Sequence, residues 1–532
     1  MIIKNLKKIV IVGGGSAGWM SAAMLIKFFP DYDISVIESP DYPTVGVGES
    51  TLLGIRNYCA FLGIDEQDFM SKTDASYKMS IKFTNFYEKN SGGFHYPFGD
   101  PELDGTVQGI EDWFYKKAVY PNLTNDTFAR YYYPSAALYE NSKFSLNTSK
   151  KYGKFDPKKH TAFHFDATKF GLWLKEGYCL PRGVKLISDT VTNVKVSDIG
   201  IEQLELASGG VVTSDLFVDC TGWKSLLLGD SLKEEFISYS DMLPNNRAWA
   251  TRIPYKDKDK ELEPYTNCTA LGNGWVWNIP IWSRLGTGYV YSDRFTSKED
   301  ALEEFKQHLM SANMICPRSR EEVDSYEYKD IPMRVGIHRK LFVKNVVAIG
   351  LSAGFIEPLE SNGLFSVHVF LDRLVKTLAS GSVNQFDRDV YNTACRGVFQ
   401  NFAEFVAMHY AFSKRDDTAY WKANNDRVYD KGMTDLVPSM AVGFNHYHNN
   451  KMWQANIDPA AGLVWIATGM NHHIIDVLNQ RNAEFIEGVA TKDKFAQAFT
   501  SREQAQMNWW RNSEKEISLH QFLKENIHKD NS

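Results

Sequence analysis

The chain has 532 residues, of which 43% are hydrophobic and 23% are charged, and its formal net charge is −6. This is the composition of a globular protein that is long enough for two or more domains with large cores. Because no basic block is present that would neutralise phosphates, the sequence argues against a nucleic-acid partner.

Membrane insertion and metal binding are also disfavoured by the sequence. No apolar stretch approaches the length of a bilayer span, so we expect no membrane partner. The six cysteines form no C-x-x-C pair, which argues against a structural zinc site or a disulfide framework. His446 and His448 have H-x-H spacing but no third ligand nearby, so no metal is expected. These features predict a soluble, cytoplasmic protein.

The N-terminal segment "KKIVIVGGGSAGWMSAAM" predicts a strand, a glycine turn and a helix that begins near Ser16. Gly13, Gly15 and Gly18 fit the pattern G-x-G-x-x-G, which allows a tight turn, close approach of a pyrophosphate and close packing of helix on strand. The next strand, "YDISVIES", reaches Glu38, an acid at the distance where such units bind a ribose hydroxyl. The sequence therefore predicts a nucleotide-binding βαβ unit.

In three later segments, the sequence again predicts the start of a helix or a strand that ends in a tight turn. "GVGEST" at 46–51 is a glycine-rich loop that leads into a helix with a Ser or Thr cap. "FHFDATKFGLWL" predicts a helix that begins near Asp166, and the apolar strand Leu216–Val218 runs into a tight turn at Asp219 and Gly222. From about residue 364 onward the periodicity is mostly helical.

The segment "NVVAIGLSAGFIEPLESNGLFSVHVFLDRLV" predicts a buried strand, a turn and a helix that starts near Leu364. A helix start offers free N–H groups and a positive dipole end, which together make an anion site, with Ser361 as a further donor. Capping and turn formation would account for Ser361 and Asn362 without a ligand. They do not account for two carboxylates, Glu357 and Glu360, in an otherwise apolar turn.

Taken together, these motifs resemble the flavin-dependent halogenases of the tryptophan-halogenase type. The matching segments follow the family's order over about residues 5–425; they are "GGGSAGW", "GVGEST", "YKMSIKF", "DLFVDCTGW", "GWVWNIP", "AIGLSAGFIEPLESNG" and "HYAFSKRDDTAYW". The resemblance implies an α/β fold: an FAD-binding, Rossmann-like G-x-G-x-x-G domain of the flavin monooxygenase type, with a substrate-side β-sheet and a helical C-terminal region.

The resemblance also implies a division of the chain. The FAD-binding domain would be discontinuous and comprise residues 1–85, 160–225 and 340–380. The substrate side would comprise a sheet and an insertion, in residues 86–159 and 226–339. Residues 381–532 would form a helical C-terminal region. Trp275 and Trp277 would lie in a strand beside the tunnel from flavin to substrate. Alternation along a strand puts both indoles on one face, where they would shape a dry wall.

The family's chemistry implies that reduced FAD and O2 convert a halide (bromide, iodide or chloride) into hypohalous acid, which then halogenates an electron-rich aromatic or indole. Lys78 matches the catalytic lysine, and Glu360 matches its acidic partner, which would orient the oxidant or accept the proton that the ring loses. A charged lysine would polarise hypohalous acid, whereas a neutral lysine, which burial favours, would form a haloamine. The sequence leaves both routes open.

The resemblance assigns further residues to cofactor and halide. Those expected to bind FAD are Gly13, Gly15, Ser16, Ala17, Gly18, Glu38, Gly48, Glu49, Ser50, Asp219, Gly222, Gly350 and Gly363. Those expected to bind halide are Ser361, Asn362 and Gly363. Asn362 departs from the commonest pattern, which has threonine after the serine, and this departure favours a larger and more easily oxidised halide such as bromide or iodide.

The substrate is expected to be a small aromatic that contacts Tyr96 and Phe98 in "FHYPFG", where His95 is shifted by one position. No counterpart is found for the C-terminal groups that bind the polar end of tryptophan, so free tryptophan is not specifically indicated. A separate flavin reductase is the expected partner. The sequence leaves open regiochemistry, carrier attachment and assembly as a homo-oligomer.

Two other functions fit a flavin-binding chain. A single-component, NAD(P)H-dependent aromatic hydroxylase would reduce its own flavin, but no second dinucleotide fingerprint is found. A catalytically silent flavin-binding module would not need Lys78 and Glu360 in these contexts.

Overall fold

The computed structural model describes residues 2–41, 49–102, 123–427, 459–471 and 492–529. The strands in these ranges are β1 Lys8–Val12, β2 Asp33–Glu38, β3 Glu49–Ser50, β4 Ser76–Lys78, β5 Ser80–Thr84, β6 Gly93–Pro97, β7 Ala162–Phe165, β8 Lys185–Ser188, β9 Val191–Ser197, β10 Gly200–Leu206, β11 Val211–Val212, β12 Leu216–Asp219, β13 Phe236–Ser238, β14 Arg247–Ile253, β15 Tyr265–Ala270, β16 Gly274–Ile281, β17 Arg284–Tyr291, β18 Lys329–Pro332, β19 Gly336–His338, β20 Phe342–Val343, β21 Val346–Ala348 and β22 Gly354–Phe355. The helices are α1 Ser16–Phe28, α2 Gly54–Leu62, α3 Glu66–Lys72, α4 Phe128–Tyr132, α5 Ala136–Tyr139, α6 Pro157–His160, α7 Ala167–Trp173, α8 Lys258–Glu261, α9 Lys298–Met310, α10 Arg320–Ser325, α11 Gly363–Leu378, α12 Gln385–Ala411, α13 Ala419–Asn425, α14 Pro459–Gly469, α15 Lys492–Ser513 and α16 Leu519–Asn526.

A six-stranded sheet of order β20-β21-β12-β1-β2-β8 forms the predicted nucleotide-binding unit. β1 pairs in parallel with β2 and with β12, so that Val12 lies beside both Ile37 and Asp219. The carboxyl ends of the three central strands therefore meet at one edge, where open α/β sheets bind their ligands. The predicted α/β, Rossmann-like fold is confirmed.

The glycines of the first turn are required by close backbone contacts. Gly13 has φ +115°, and a Cβ there would lie 2.2 Å from the carbonyl oxygen of Cys220. A Cβ on Gly18 would lie 1.9 Å from the carbonyl oxygen of Gly13. No side chain fits either distance, so the first and third glycines hold α1 tightly against the ends of β1 and β12.

A seven-stranded sheet has the order β18-β14-β17-β16-β15-β5-β6, and most of it falls in the ranges expected on the substrate side. Only the β15–β5 pair is parallel; the other neighbours are antiparallel. Residues 80–85 were expected in the FAD-binding part, but β5 hydrogen-bonds to β15 and β6 and lies in this sheet. β16 carries the two tryptophans of the W-x-W element and is buried along its whole length.

A small three-stranded sheet of order β3-β7-β4 packs against β15 and β16 of the seven-stranded sheet. β7 pairs with both neighbours, so that His164 lies opposite Ser50 on one side and Ser76 on the other. Lys78 lies opposite Ala162 at the end of β4. This sheet therefore brings Ser50, His164 and Lys78 close together, although they are far apart in sequence.

The described part of the C-terminal region is helical, as predicted, and its longest helix, α12, packs against α11. α11 in turn packs against α1 and α2, which fixes its first turn beside the six-stranded sheet. Among the helices that the structure describes, none combines the length and the apolar character needed to cross a bilayer.

Candidate functional site

A cavity of about 710 Å³ extends from the carboxyl ends of the six-stranded sheet to the start of α11. Most of the residues expected to bind the cofactor line it: Gly13, Gly15, Ser16, Ala17, Glu38, Glu49, Ser50, Gly222, Gly350 and Gly363. The remaining expected residues are Gly18 and Asp219, which do not line it, and Gly48, which lies outside the described residues.

The cavity fits a dinucleotide such as FAD. Gly15 is the N-cap of α1 and has no side-chain cap, so the first N–H groups of the helix are free to bind a pyrophosphate. Glu38 lines one end of the cavity, where its Oε2 lies 2.8 Å from Lys175 Nζ. Ser361 lines the other end. These residues would hold the ribose, pyrophosphate and ring regions of the cofactor.

Asp219 has a different position from the one expected of a cofactor ligand. Its carboxylate accepts hydrogen bonds from the backbone N–H groups of Thr221, Leu227 and Leu228 and from the Thr221 hydroxyl. The side chain is fully buried, because these donors draw it into the turn and away from the cavity. Asp219 therefore shapes the wall that Gly222 lines, and Gly18 packs α1 against the sheet.

Lys78 lies behind the cavity wall and is 0% exposed. Its Nζ donates hydrogen bonds to the carbonyl oxygen of Thr51 at 3.0 Å and to Ser361 Oγ at 2.7 Å. Burial lowers the pKa of Lys78 to about 7, against the opposing effect of the Glu360 charge. Ser361 thus separates a buried amine from the cofactor cavity.

The segment that precedes α11 offers polar groups to the cavity. Ser361 has φ +59°, which is uncommon for a residue other than glycine. Asn362 is the N-cap of α11, but its side chain does not cap the helix. In the part of the chain that the structure describes, both amide atoms of Asn362 are buried without a hydrogen-bond partner, and the residue lines the cavity. A buried amide with no partner indicates a ligand.

Glu49 lies beside this segment. It lines the cavity, and its Oε2 is 3.6 Å from the position that a Cβ on Gly363 would take. Burial, together with the charge of Asp166, raises the pKa of Glu49 to about 7. A large fraction of Glu49 is therefore uncharged at neutral pH, which reduces the repulsion of an anion held at the start of α11.

Glu360 points away from the cavity and forms a buried ion pair with His409. Glu360 Oε1 lies 2.8 Å from His409 Nε2, and their side chains are 1% and 0% exposed. His409 Nδ1 lies 3.2 Å from the carbonyl oxygens of Phe405 and Val406, so Nδ1 carries a hydrogen. Within the described residues, neither oxygen of Glu360 nor His409 Nε2 has a hydrogen-bond partner. His409 is not among the residues predicted from the sequence, although it is the first residue of the family-like segment "HYAFSKRDDTAYW".

Aromatic rings surround the other side of Lys78. Its Nζ lies 5.0 Å from the centroid of the Phe98 ring. Phe98 and Tyr96 have an edge-to-face contact at 6.4 Å, and Tyr96 contacts Phe405 at 6.5 Å. The two predicted substrate residues are thus brought together beside the amine.

His95 faces the opposite side of β6 from Tyr96. Its Nδ1 lies 2.9 Å from Ser80 Oγ, and its ring stacks on Tyr139 at 4.4 Å. Because side chains alternate along a strand, a shift by one position moves an imidazole to the other face. His95 therefore does not line the region beside Lys78.

The two indoles of the W-x-W element have different surroundings. Trp275 Nε1 donates to Glu357 Oε2 at 2.8 Å, and the same oxygen accepts from Asn245 Nδ2 and from the Tyr410 hydroxyl, each at 2.8 Å. Trp277 lines the cavity, as expected of a wall residue, and its buried Nε1 has no partner within the described residues. Trp275 anchors the turn that carries the site, a role that spacing alone did not indicate.

The described residues contain no group of three or more side chains suited to hold a metal ion. His446 and His448, discussed above for their H-x-H spacing, lie outside the described residues.

Comparison with known proteins places this geometry in context. Residues 8–458 match the family model described as tryptophan halogenase. Tryptophan 6-halogenase SttH of Streptomyces toxytricini is 34% identical over 84% of this chain and 88% of that protein. Tryptophan 7-halogenase RebH of Lentzea aerocolonigenes is also 34% identical, over 82% of each chain.

Solved structures agree over more of the chain. The VirX1 apo structure superposes with a TM-score of 0.87 at 34% identity, covering 98% of this chain and 100% of that chain. The crystal structure of SttH gives a TM-score of 0.81 at 30% identity, with 97% and 99% covered.

Proposed function

The chain belongs to the tryptophan-halogenase family of flavin-dependent halogenases, and from this premise we propose that it uses reduced FAD and O2 to halogenate an electron-rich aromatic or indole. When bound, reduced FAD would supply the reaction of O2 with halide that gives hypohalous acid. One observation carries the proposal: the Lys78 amine is fully buried, 2.7 Å from a serine that lines the cofactor cavity. The oxidant would form on one side of Ser361 and react on the other.

Lys78 would act as a neutral amine. Its Nζ has two hydrogen-bond acceptors in the described residues, Thr51 O and Ser361 Oγ, and these match the two N–H groups of an uncharged amine. A pKa of about 7 makes that state accessible at neutral pH. Attack of the nitrogen lone pair on hypohalous acid forms an N–X bond and breaks the O–X bond; the amine proton and the released hydroxide leave as water.

Glu360 would accept the proton that the aromatic ring loses. When the ring carbon takes the halogen from Lys78, the carbon must release a proton to a nearby base. Glu360 is buried with its Oε1 2.8 Å from His409 Nε2, and neither of its oxygens has a hydrogen-bond partner in the described residues, so both can accept a proton. The proton then returns to the Lys78 nitrogen, which restores the neutral amine.

The aromatic residues beside Lys78 favour a flat substrate. Tyr96 has edge-to-face contacts with Phe98 and with Phe405, and aromatic clusters of this kind favour contact with another aromatic ring. Relatives named as tryptophan halogenases make tryptophan the first indole to test. We expect a separate flavin reductase to supply reduced FAD.

The halide would bind at the start of α11. The free N–H groups of the helix, Ser361 and the side-chain amide of Asn362 together provide donors to an anion. Asn362 departs from the threonine of the commonest family pattern, and bromide and iodide are more easily oxidised than chloride, so we propose a preference for bromide or iodide over chloride.

The family assignment favours the halogenase over an NAD(P)H-dependent hydroxylase or a silent flavin-binding module. A test pairs two lysine variants in reactions that contain FAD, an external flavin reductase, bromide and an indole, with product read by mass spectrometry. Lys78→Ala should lose halogenated product but still bind flavin and release hypohalous acid to a chemical trap. Lys72→Ala, whose side chain is 63% exposed, should behave like the wild type. Product that persists in Lys78→Ala would overturn the proposal.

A further inference from the structure

Lys78 stands at one end of a buried chain of hydrogen bonds. Lys78 contacts Ser361. Ser361 Oγ in turn lies 2.9 Å from Ser50 Oγ, and Ser50 Oγ lies 2.6 Å from Thr266 Oγ1. Thr266 Oγ1 lies 2.9 Å from His164 Nε2. All five residues are buried, and Lys78 and His164 are 0% exposed. The chain thus connects two titratable groups through three hydroxyls.

The surroundings of His164 Nδ1 set the direction of this chain. Ser76 Oγ lies 3.4 Å from Nδ1, and the Ser76 hydroxyl donates to the carbonyl oxygen of Pro280 at 2.6 Å. Its single hydrogen is therefore used, and it offers His164 only lone pairs. Nδ1 carries the hydrogen, and Nε2 of a neutral ring is left as an acceptor.

Each hydroxyl has one hydrogen, so the direction propagates. Thr266 donates to His164, Ser50 donates to Thr266, and Ser361 donates to Ser50. Ser361 then presents a lone pair to Lys78, which matches the observed donation from Nζ. Burial and the Lys78 charge hold the pKa of His164 well below its ordinary range, so the ring stays neutral and the direction is maintained.

We propose that His164 is a positioning residue that, through Thr266 and Ser50, keeps the Ser361 hydroxyl turned away from Lys78, so that the amine lone pair is free to take the halogen. If the chain ran the other way, the Ser361 hydroxyl would donate to that lone pair and occupy it. This inference rests on the proposed function, in which Lys78 reacts as a neutral amine. His164 touches neither the cofactor cavity nor Lys78, so it acts only through the hydroxyls.

The test measures the fraction of hypohalous acid that becomes halogenated product. Thr266→Val keeps the shape of the side chain but breaks the chain, whereas Thr266→Ser keeps the hydroxyl. We expect Thr266→Val to lower the yield of product per hypohalous acid formed by up to about tenfold, the effect of one oriented hydrogen bond. Thr266→Ser should restore it; because Thr266 also lines the cofactor cavity, the two variants are compared at saturating flavin.

His164→Phe supplies an independent variant, because His164 does not line the cavity. It should also release more trapped hypohalous acid at the expense of product, while flavin binding is unchanged. The inference would be overturned if Thr266→Val and His164→Phe both convert the same fraction of hypohalous acid into halogenated product as the wild type. If His164→Phe does not fold, the Thr266 pair decides. Failure of the wild type to form any hypohalous acid would instead overturn the proposed function.

Discussion

Trp275 Nε1 lies 2.8 Å from Glu357 Oε2, and both residues are 0% exposed. Burial raises the pKa of Glu357, and the hydrogen bonds from Asn245, Trp275 and Tyr410 oppose that rise. Glu357 begins the turn whose later residues include Glu360. The substrate-side sheet thereby fixes the start of the segment that carries the proposed base and halide donors.

Removal of the Trp275 N–H should destabilise the protein more than the same change at Trp277. Trp275→Phe takes one of three donors from a buried carboxylate, at an expected loss of about 1–3 kcal/mol in the free energy of unfolding. Trp277→Phe is the matched control, two positions along the same strand, because its indole N–H has no partner in the described residues. Denaturant unfolding of the two variants measures the difference. Equal losses would contradict an anchoring role for Trp275.

Sequence patterns were sufficient for the elements in which function depends on local spacing. The strand, turn and helix around Gly13 could be predicted, because the glycines are required by contacts within one βαβ unit. The pairing of Trp275 and Trp277 on one face followed from strand alternation. The same alternation also accounts for the position of His95 on the face opposite Tyr96.

Contacts between residues far apart in the chain could not be predicted from local sequence spacing. The partner of Trp275 is a carboxylate 82 positions away, and Thr266 meets His164 at a separation of 102. No local period signals such contacts, because only the tertiary fold brings the two side chains of each pair together. Asp219 shows the converse limit: its place after a strand suggested a ligand, but nearby backbone donors draw it into the turn.

Gly13→Ala should weaken flavin binding. The new Cβ would lie 2.2 Å from the Cys220 carbonyl oxygen at φ +115°, and strain of this kind costs about 1–3 kcal/mol. We expect flavin affinity to fall by roughly tenfold, measured by quenching of flavin fluorescence. Gly397→Ala is the control: it lies in α12 with no atom within 4 Å of the new Cβ, and it should bind flavin normally. Equal affinities in the two variants would contradict the prediction.

Glu360→Gln should slow product formation without changing the release of hypohalous acid. The amide keeps the shape of the side chain but accepts no proton, and loss of a general base typically costs about 10²–10⁴-fold in rate. Loss of the ring proton should then limit the rate, so a substrate deuterated at the reacting carbon should show an isotope effect in this variant. Mass spectrometry of paired substrates measures it. An equal rate for both isotopologues would argue against Glu360 as the base.

The rate of halogen transfer should rise as the pH rises through about 7. Burial lowers the pKa of Lys78 to about 7, so the amine is protonated below that pH and has a free lone pair above it. Below the pKa the rate should fall by roughly tenfold for each pH unit, because the reactive fraction falls in proportion. Single-turnover product yields across this range measure the profile.

Lys78→Arg separates the two routes that the sequence left open. An arginine keeps a permanent positive charge but has no lone pair to accept a halogen, so the neutral-amine route predicts loss of product at every pH. Substantial product from this variant, or a wild-type rate that falls as the pH rises through about 7, would support polarisation of hypohalous acid by a charged side chain instead.

Asn362→Thr should shift the halide preference toward chloride. In the described residues the Asn362 amide is buried, lines the cavity and has no partner, and it does not cap α11. Threonine would restore the residue of the commonest family pattern and exchange the amide for a hydroxyl donor, so chloride should gain relative to bromide and iodide. Reactions with equimolar halides, read as the ratio of halogenated products, measure the shift. Asn384→Thr is the control, because Asn384 caps α12 with its own side chain and should leave the ratio unchanged. A preference of the wild-type enzyme for chloride would contradict the proposed preference for bromide or iodide.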